Sequence, residues 1–234
     1  MGKLAQKRLI PKLELELFLS QIESQPSPKA YLEQYTISEA IAAMMLYLAA
    51  YKNGDILGKT VLDLGCGTGR LALGASYLGA QFVIGVDVDK TAIRTASKNS
   101  ERTGSKTLVH WVLADIEAVT GSFDTVLQNP PFGVQKRSAD RKFLEKALEV
   151  GNVIYSLHKH PVTDKQLIRR LKANPGGLLQ VEPSPFIENF VERRNGLVEA
   201  VYAMHMTIPR MFDFHTKMKH DFVIDLYHIK KRAR

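Results

Sequence analysis

Asn129, Pro130, Pro131 and Phe132 follow one another in the chain, and together they bring an amide, a stiffened carbonyl and an aromatic face to one point. Proline fixes its own φ near about −65° and pushes the residue before it into an extended conformation. Asn129 and Pro130 are therefore expected to project oxygens in set directions, and two such oxygens can accept both hydrogens of one planar NH2 group. Phe132 would stack on the ring that carries the amine, as aromatic side chains do with extruded bases. Asn-Pro and Pro-Pro are also common turn punctuation, and taken alone the tetrad favours a plain strand-to-loop turn. The residues upstream reverse that balance.

Residues 60–64 form a short apolar strand that runs into Gly65-Cys66-Gly67-Thr68-Gly69, and residues 70–78 follow with helical periodicity. Glycines let the backbone turn tightly and approach a ligand, while the helix N-terminus offers N–H groups and a positive dipole end. A second strand, residues 82–86, delivers Asp87 at its end, 18 residues beyond Gly69. That lies near the offset of about 20 residues at which an acid meets ribose hydroxyls. Asp87 alone could be a solvated acid in a turn; loop, spacing and helix together favour nucleotide binding. A helix over residues 90–102 leads to a strand over residues 108–113 that ends at Asp115, and a fourth strand over residues 123–127 runs directly into the tetrad. In a parallel sheet the ligand crevice lies at the carboxyl ends of the strands. The glycine loop, Asp87, Asp115 and Asn129 are thus expected to line one rim.

Ahead of this unit, residues 3–23 read as a helix or a strand, and the strong helix formers Leu, Glu, Lys and Gln favour the helix. Pro26 and Pro28 end it, and a second helix is expected from about Ser38, a plausible N-cap, to residue 51. After the tetrad, residues 133–141 form a polar, basic loop, a candidate lid or nucleic-acid contact through Lys136 and Arg137. Helices over residues 141–150, 163–173 and 187–194 and a strand over residues 153–157 lead to two strand-like segments, residues 198–208 and 222–229. Lys217 and Lys219, near the turn between them, are further candidate phosphate contacts or solvated charges. With no helix between them, the two segments are expected to close as an antiparallel hairpin at one sheet edge. The expected fold class is α/β, a Rossmann-like doubly wound sheet of seven strands, mostly parallel with an antiparallel last strand. One domain over residues 1–234 is expected, with residues 1–52 a helical segment over the crevice and residues 53–234 the core.

Composition narrows the setting. Hydrophobic residues at 45% and charged residues at 24% give the balance of a globular protein and exclude a disordered one. Lys and Arg exceed Asp and Glu by 32 − 24 = 8, a surplus that suits polyanions such as nucleic acid or simply solubility. The longest uninterrupted apolar run, residues 41–51, has 11 residues, too few to cross a bilayer, and the first residues lack a secretory apolar region. No membrane association and a cytoplasmic location are the expectation. With Cys66 the only cysteine, neither an internal disulfide nor a cysteine-based zinc or iron–sulfur site is possible within the chain. The histidines, His158 and His160 included, show no pairing with acids at ligand spacing, so no metal is expected.

A dehydrogenase would usually carry G-x-G-x-x-G, whereas Gly65, Gly67 and Gly69 give G-x-G-x-G. With Asp63 before the loop, Asp87, Asp115 and the tetrad after the fourth strand, the set resembles class I S-adenosylmethionine-dependent methyltransferases that modify amino groups. The resemblance implies that the 65–69 loop packs against the methionine moiety, that Asp87 binds the ribose hydroxyls and that Asp115 meets the adenine amine, with Asp63, Thr68, Val88 and Ile116 among the cofactor's neighbours. Leu32-Glu33-Gln34-Tyr35, the tetrad with Gly133, Phe143-Leu144, Tyr155-Ser156-Leu157-His158-Lys159 and Phe214-His215 are similar to a narrower group, the methyltransferase-like family that makes N(6)-methyladenosine in small-subunit ribosomal RNA. That likeness spans about residues 32–227. It implies that Gln34, Tyr35 and Thr36 fold over the cofactor, although relatives often have Pro-Thr where this chain has Thr36-Ile37. It also implies RNA as substrate and a small zinc-binding activator protein as partner.

Other chemistries fit less well. Ring-carbon methylation of cytosine needs a nucleophilic cysteine, and Cys66 belongs to the cofactor loop. Protein glutamine methyltransferases more often carry tyrosine where Phe132 stands. Amine methylation of DNA shares the tetrad, and RNA is preferred through the resemblance. A non-catalytic RNA-binding scaffold of the same fold would not need Asp87, Asp115 and Asn129 intact.

Overall fold

A computed structural model describes residues 9–25, 28–29, 37–105, 109–132, 139–162, 164–173, 177–209 and 219–232. Gln34, Tyr35, Thr36, Lys136, Arg137 and Lys217 lie outside the described residues, and Lys219 opens the last strand. Helix α1 (Lys12–Ser20) starts after Pro11, whose fixed φ suits a helix start. Helix α2 (Glu39–Tyr47) is capped by Ser38, whose side chain accepts the Ile41 N–H, and it widens into a π turn over Leu48–Lys52. The chain then runs β1 (Thr60–Leu64), α3 (Arg70–Tyr77), β2 (Phe82–Asp87), α4 (Lys90–Arg102), β3 (Val109–Leu113), β4 (Phe123–Gln128), α5 (Ala139–Val150), β5 (Gly151–Lys159), α6 (Lys165–Ala173), β6 (Leu179–Val181), α7 (Pro185–Glu192), β7 (Gly196–Pro209) and β8 (Lys219–Lys231).

One sheet of eight strands results, in the order β3-β2-β1-β4-β5-β8-β7-β6. The first five strands pair with one another in parallel, β8 is antiparallel to both β5 and β7, and β6 is antiparallel to β7. This differs in two ways from the expected seven strands with the hairpin at an edge. The extra strand, β6, is three residues long and too short for an alternating pattern to show. The closing strand β8 is internal, and its composition explains why: Val223, Ile224, Leu226, Tyr227 and Ile229 are all buried, as an interior strand covered on both faces requires.

Side chains alternate across the sheet. Val61 packs with α1, α2 and α3, whereas Leu62 and Leu64 pack with α5 and α7, the period of two that a doubly wound sheet imposes. No helix of the described residues is long and apolar enough to cross a membrane. On the α5 face runs a buried polar chain: Gln128 Nε2–H donates to Ser156 Oγ at 2.8 Å, and Ser156 Oγ lies 2.7 Å from His158 Nε2. Burial holds the His158 imidazole down to about 4, below the ordinary histidine value of about 6.5. Between those two values the unfolded chain takes up a proton that the folded chain refuses. Stability is therefore full above the window and is lost as pH falls through it. Between about pH 7 and pH 4 the protein is expected to lose about 3 kcal/mol more than its His158→Gln variant. Urea denaturation at a series of pH values measures this, and parallel losses in the two proteins would contradict it.

Candidate active site

Leu64 of β1 pairs with Val86 of β2 on one side and Gln128 of β4 on the other. Gly65, Asp87 and Asn129 therefore leave three adjacent parallel strands at one level. Neighbouring strands lie about 4.8 Å apart, which sets the glycine loop beside the tetrad.

Gly65, Gly67 and Gly69 have φ of 69°, 55° and 88°, the left-handed region that side chains with a Cβ avoid. A Cβ at Gly65 would come 2.7 Å from Cε1 of Phe143 on α5, and one at Gly69 would strike the Trp111 ring of β3; one at Gly67 would meet nothing within 4 Å. Packing thus fixes the two ends of the loop while its middle faces open space. The N–H groups of Gly65 and Cys66 both donate to Val86 O at 2.9 Å. Gly67 N–H donates to Asp87 Oδ2 and Asp89 N–H to Asp87 Oδ1, each at 2.8 Å. Burial pushes the Asp87 carboxyl above the usual range, and these N–H groups pull it back. Burial also drives the Cys66 thiol up, which favours its neutral form.

Asp63 turns one carboxylate oxygen to the Ala72 N–H in the first turn of α3, at 3.0 Å, and burial pushes its carboxyl up to about 7. Thr68 is buried, with its carbonyl accepting from Asn99 Nδ2 at 3.0 Å. Val88 is exposed at the end of β2. Asp115 is exposed and accepts the Glu117 N–H at 2.9 Å, capping a short 3-10 turn, Ile116–Ala118, whose Ile116 is buried. Acceptors at Asp87 and Asp115, an apolar Val88 between them and open space at Gly67 fit a nucleoside carrying an extended charged arm. Asn129 is half-buried with its amide oxygen shielded from solvent, Pro130 is buried, and Pro131 and Phe132 are half-buried. Phe132 meets Phe222 of β8 edge-on, with ring centroids 5.8 Å apart at 81°. Among the described residues no three His, Cys, Asp or Glu side chains gather to hold a metal ion.

Several residues that shape this site stand outside the motifs read from the sequence. Arg70, buried at the start of α3, donates to the carbonyls of Ile37 and, at 3.2 Å, Ile22, and pairs with Glu39 at 3.1 Å. A cation in the first turn opposes the helix dipole, and that misfit is the available signal of a buried partner. Asn99 of α4 accepts the Glu23 N–H and donates to the carbonyls of Glu23 and Thr68. Lys29 and Gln25 reach Asp89 at 2.9 and 3.1 Å. These bonds dock the stretch after α1 onto the glycine loop and the turn after β2. Trp111 covers Gly69 and Gly85 and donates from its indole N–H to Ser100 Oγ at 2.9 Å.

The family model described as ribosomal protein L11 methyltransferase (PrmA) matches residues 43–130, the segment from α2 to the tetrad. Protein MJ0284 of Methanocaldococcus jannaschii is 35% identical over 95% of this chain and 95% of its own length. The rRNA N(6)-adenosine-methyltransferase METTL5 of Danio rerio is 33% identical over 91% of this chain and 95% of its own. Among solved structures, that of PH1948 from Pyrococcus horikoshii is similar with a TM-score of 0.79 and 35% identity, covering 97% of this chain and all of the other.

Proposed function

Since the chain belongs to the family of rRNA N(6)-adenosine-methyltransferases, we propose that it transfers the methyl group of S-adenosylmethionine to the exocyclic amine of an adenine in ribosomal RNA. One observation carries this reading: Gly65 and Asn129 leave neighbouring parallel strands at one level, so a cofactor on the glycine loop and an amine on the tetrad meet.

When bound, the cofactor supplies an electrophilic sulfonium methyl. The chain supplies position and dipoles. An adenine amine is a poor nucleophile because its lone pair is delocalised into the ring. Asn129 Oδ1 and Pro130 O accept its two hydrogens, which lets the nitrogen pyramidalise and places two acceptors against the charge that develops on it. As the N–C bond forms the methyl's bond to sulfur breaks, and the cationic methylated amine, a strong acid, gives its extra proton to solvent, so no strong general base is required. Phe132 stacks on the purine, and the covered position of the Asn129 oxygen strengthens its hydrogen bond by keeping water away. Asp87 receives the ribose hydroxyls and Asp115 the adenine amine of the cofactor. Gln34, Tyr35 and Thr36 are assigned to cofactor binding, and the bonds that Arg70, Asn99 and Asp89 make to the stretch after α1 support a part for the N-terminal stretch in that site.

A small zinc-binding activator protein is the partner. The outermost strand β3 exposes Val112 and Leu113, an apolar edge that such a protein would cover; separate elution after co-expression would remove this assignment. The reaction itself is tested by incubating the protein and labelled cofactor with small-subunit ribosomal RNA that lacks the modification. Mass spectrometry of ribonuclease fragments and of their nucleosides is expected to find N(6)-methyladenosine at one position. Label on a ring atom, or none in the RNA, would contradict the reading.

A further inference from the structure

The ribbon of β7 and β8 outlasts the rest of the rim. Lys159, the last residue of β5, pairs with Ile224, while β8 pairs on with β7 through Val223, Phe222 and Asp221 out to Lys219. Those further residues, at about 3.3 Å each, carry the ribbon about 17 Å past the carboxyl ends of the parallel strands. A lone two-stranded ribbon is marginal in water, and this one is braced on both faces. Successive residues point to opposite sides, so Phe222 meets Phe132 of the tetrad, while Val223 and Ala203 meet Leu167 and Leu171 of α6. Lys172 Nζ of α6 donates to Asp221 Oδ2 at 2.5 Å, and Thr207 Oγ1 donates to Asp221 Oδ1 at 2.7 Å. Helix α6 therefore lies beside the projecting ribbon, with the amine site on the ribbon's other face.

The rest of α6 is basic. Its sequence, KQLIRRLKA, holds no acid, and Lys165, Arg169 and Arg170 are exposed. Among the described residues Lys172 is paired with Asp221, and the other three cations have no carboxylate within salt-bridge distance. Lys165 and Arg169 are four residues apart, where like charges on a helix repel, and a polyanion along that face relieves the repulsion. We infer that the exposed face of α6 docks phosphates of the RNA whose adenine reaches Asn129, with the braced ribbon setting the distance between the two. This rests on the reading of the protein as an RNA methyltransferase.

The test uses the full chain with Lys165→Gln, Arg169→Gln and Arg170→Gln combined, since glutamine keeps helix propensity. The probe is a transcript of small-subunit ribosomal RNA. Three lost phosphate contacts make the slope of log affinity against log salt shallower by about 2, so between about 50 and 200 mM salt the variant loses about 20-fold less affinity than the wild type. S-Adenosylmethionine binding at the wild-type affinity confirms the fold of the variant. As a second measurement on the unaltered protein, amides of residues 165–173 gain hydrogen-exchange protection when the transcript is added. An unchanged slope, or no protection, overturns the assignment of α6 while RNA binding by the wild type leaves the methyl-transfer reading standing. Wild-type protein that binds no RNA overturns both.

Discussion

Replacing Asn129 with alanine is expected to slow single-turnover methyl transfer about 10²–10³-fold, the usual cost of deleting one fixed acceptor or donor from a charge-stabilising set, while cofactor affinity stays within a few fold. The residue stands one position past β4, beside the glycine loop but apart from the bonds that hold that loop to Val86 and Asp87. Its loss therefore leaves the cofactor's platform in place and removes one of the two oxygens that draw the amine toward the methyl. Rapid-quench measurement with the enzyme and cofactor in excess over RNA reads that single turnover apart from product release. A wild-type rate in that experiment would remove Asn129 from the mechanism.

Asp87→Ala is expected to fail in the opposite way, with affinity for S-adenosylmethionine reduced about 100–1,000-fold. The carboxylate accepts the Gly67 and Asp89 N–H groups at 2.8 Å each and in the proposed complex also receives the ribose hydroxyls. Hydrogen bonds to a charged group contribute about 1.5–3 kcal/mol each, and here their loss frees the loop as well as the ligand contact. Isothermal calorimetry without RNA isolates this effect. A dissociation constant within about threefold of wild type would mean that Asp87 serves neither purpose, given the energy at stake.

These two residues and their neighbours separate what the order of amino acids specifies from what tertiary packing decides. Gly65 to Gly69 and Asp87 are legible because their relation is local: a strand, a turn and a helix fix the loop, and the next strand fixes the acid. Asn129 is legible because parallel strands end on one side of a sheet, so strand ends far apart in sequence must share a rim. Arg70 is not, since its partners Ile22, Ile37 and Glu39 lie in the N-terminal stretch and nothing in the loop motif specifies what a buried guanidinium will meet. Asp63 reads as a neighbour of the cofactor, and only the folded chain reveals that one of its oxygens caps α3 at Ala72. The interior place of β8 is hidden for a similar reason. A hairpin dictates that β7 and β8 pair, but the choice of which one lies against β5 is made by tertiary packing, through the two-sided burial of β8. Likewise the bracing of the ribbon by α6 depends on Leu167 and Leu171, whose helical spacing announces a buried face without naming the strands beneath it.

At the centre stands one geometric claim, that an adenine amine is gripped by Asn129 Oδ1 and Pro130 O next to the methyl donor. A crystal structure of the full chain with S-adenosylhomocysteine and an adenosine-bearing RNA fragment tests it most directly. Expected are both oxygens within about 3 Å of the exocyclic nitrogen, with the Phe132 ring stacked on the purine and the nitrogen facing the cofactor's sulfur. An adenine seated elsewhere on the rim, or a tetrad whose oxygens stay covered and turned from the glycine loop with both ligands bound, would contradict it.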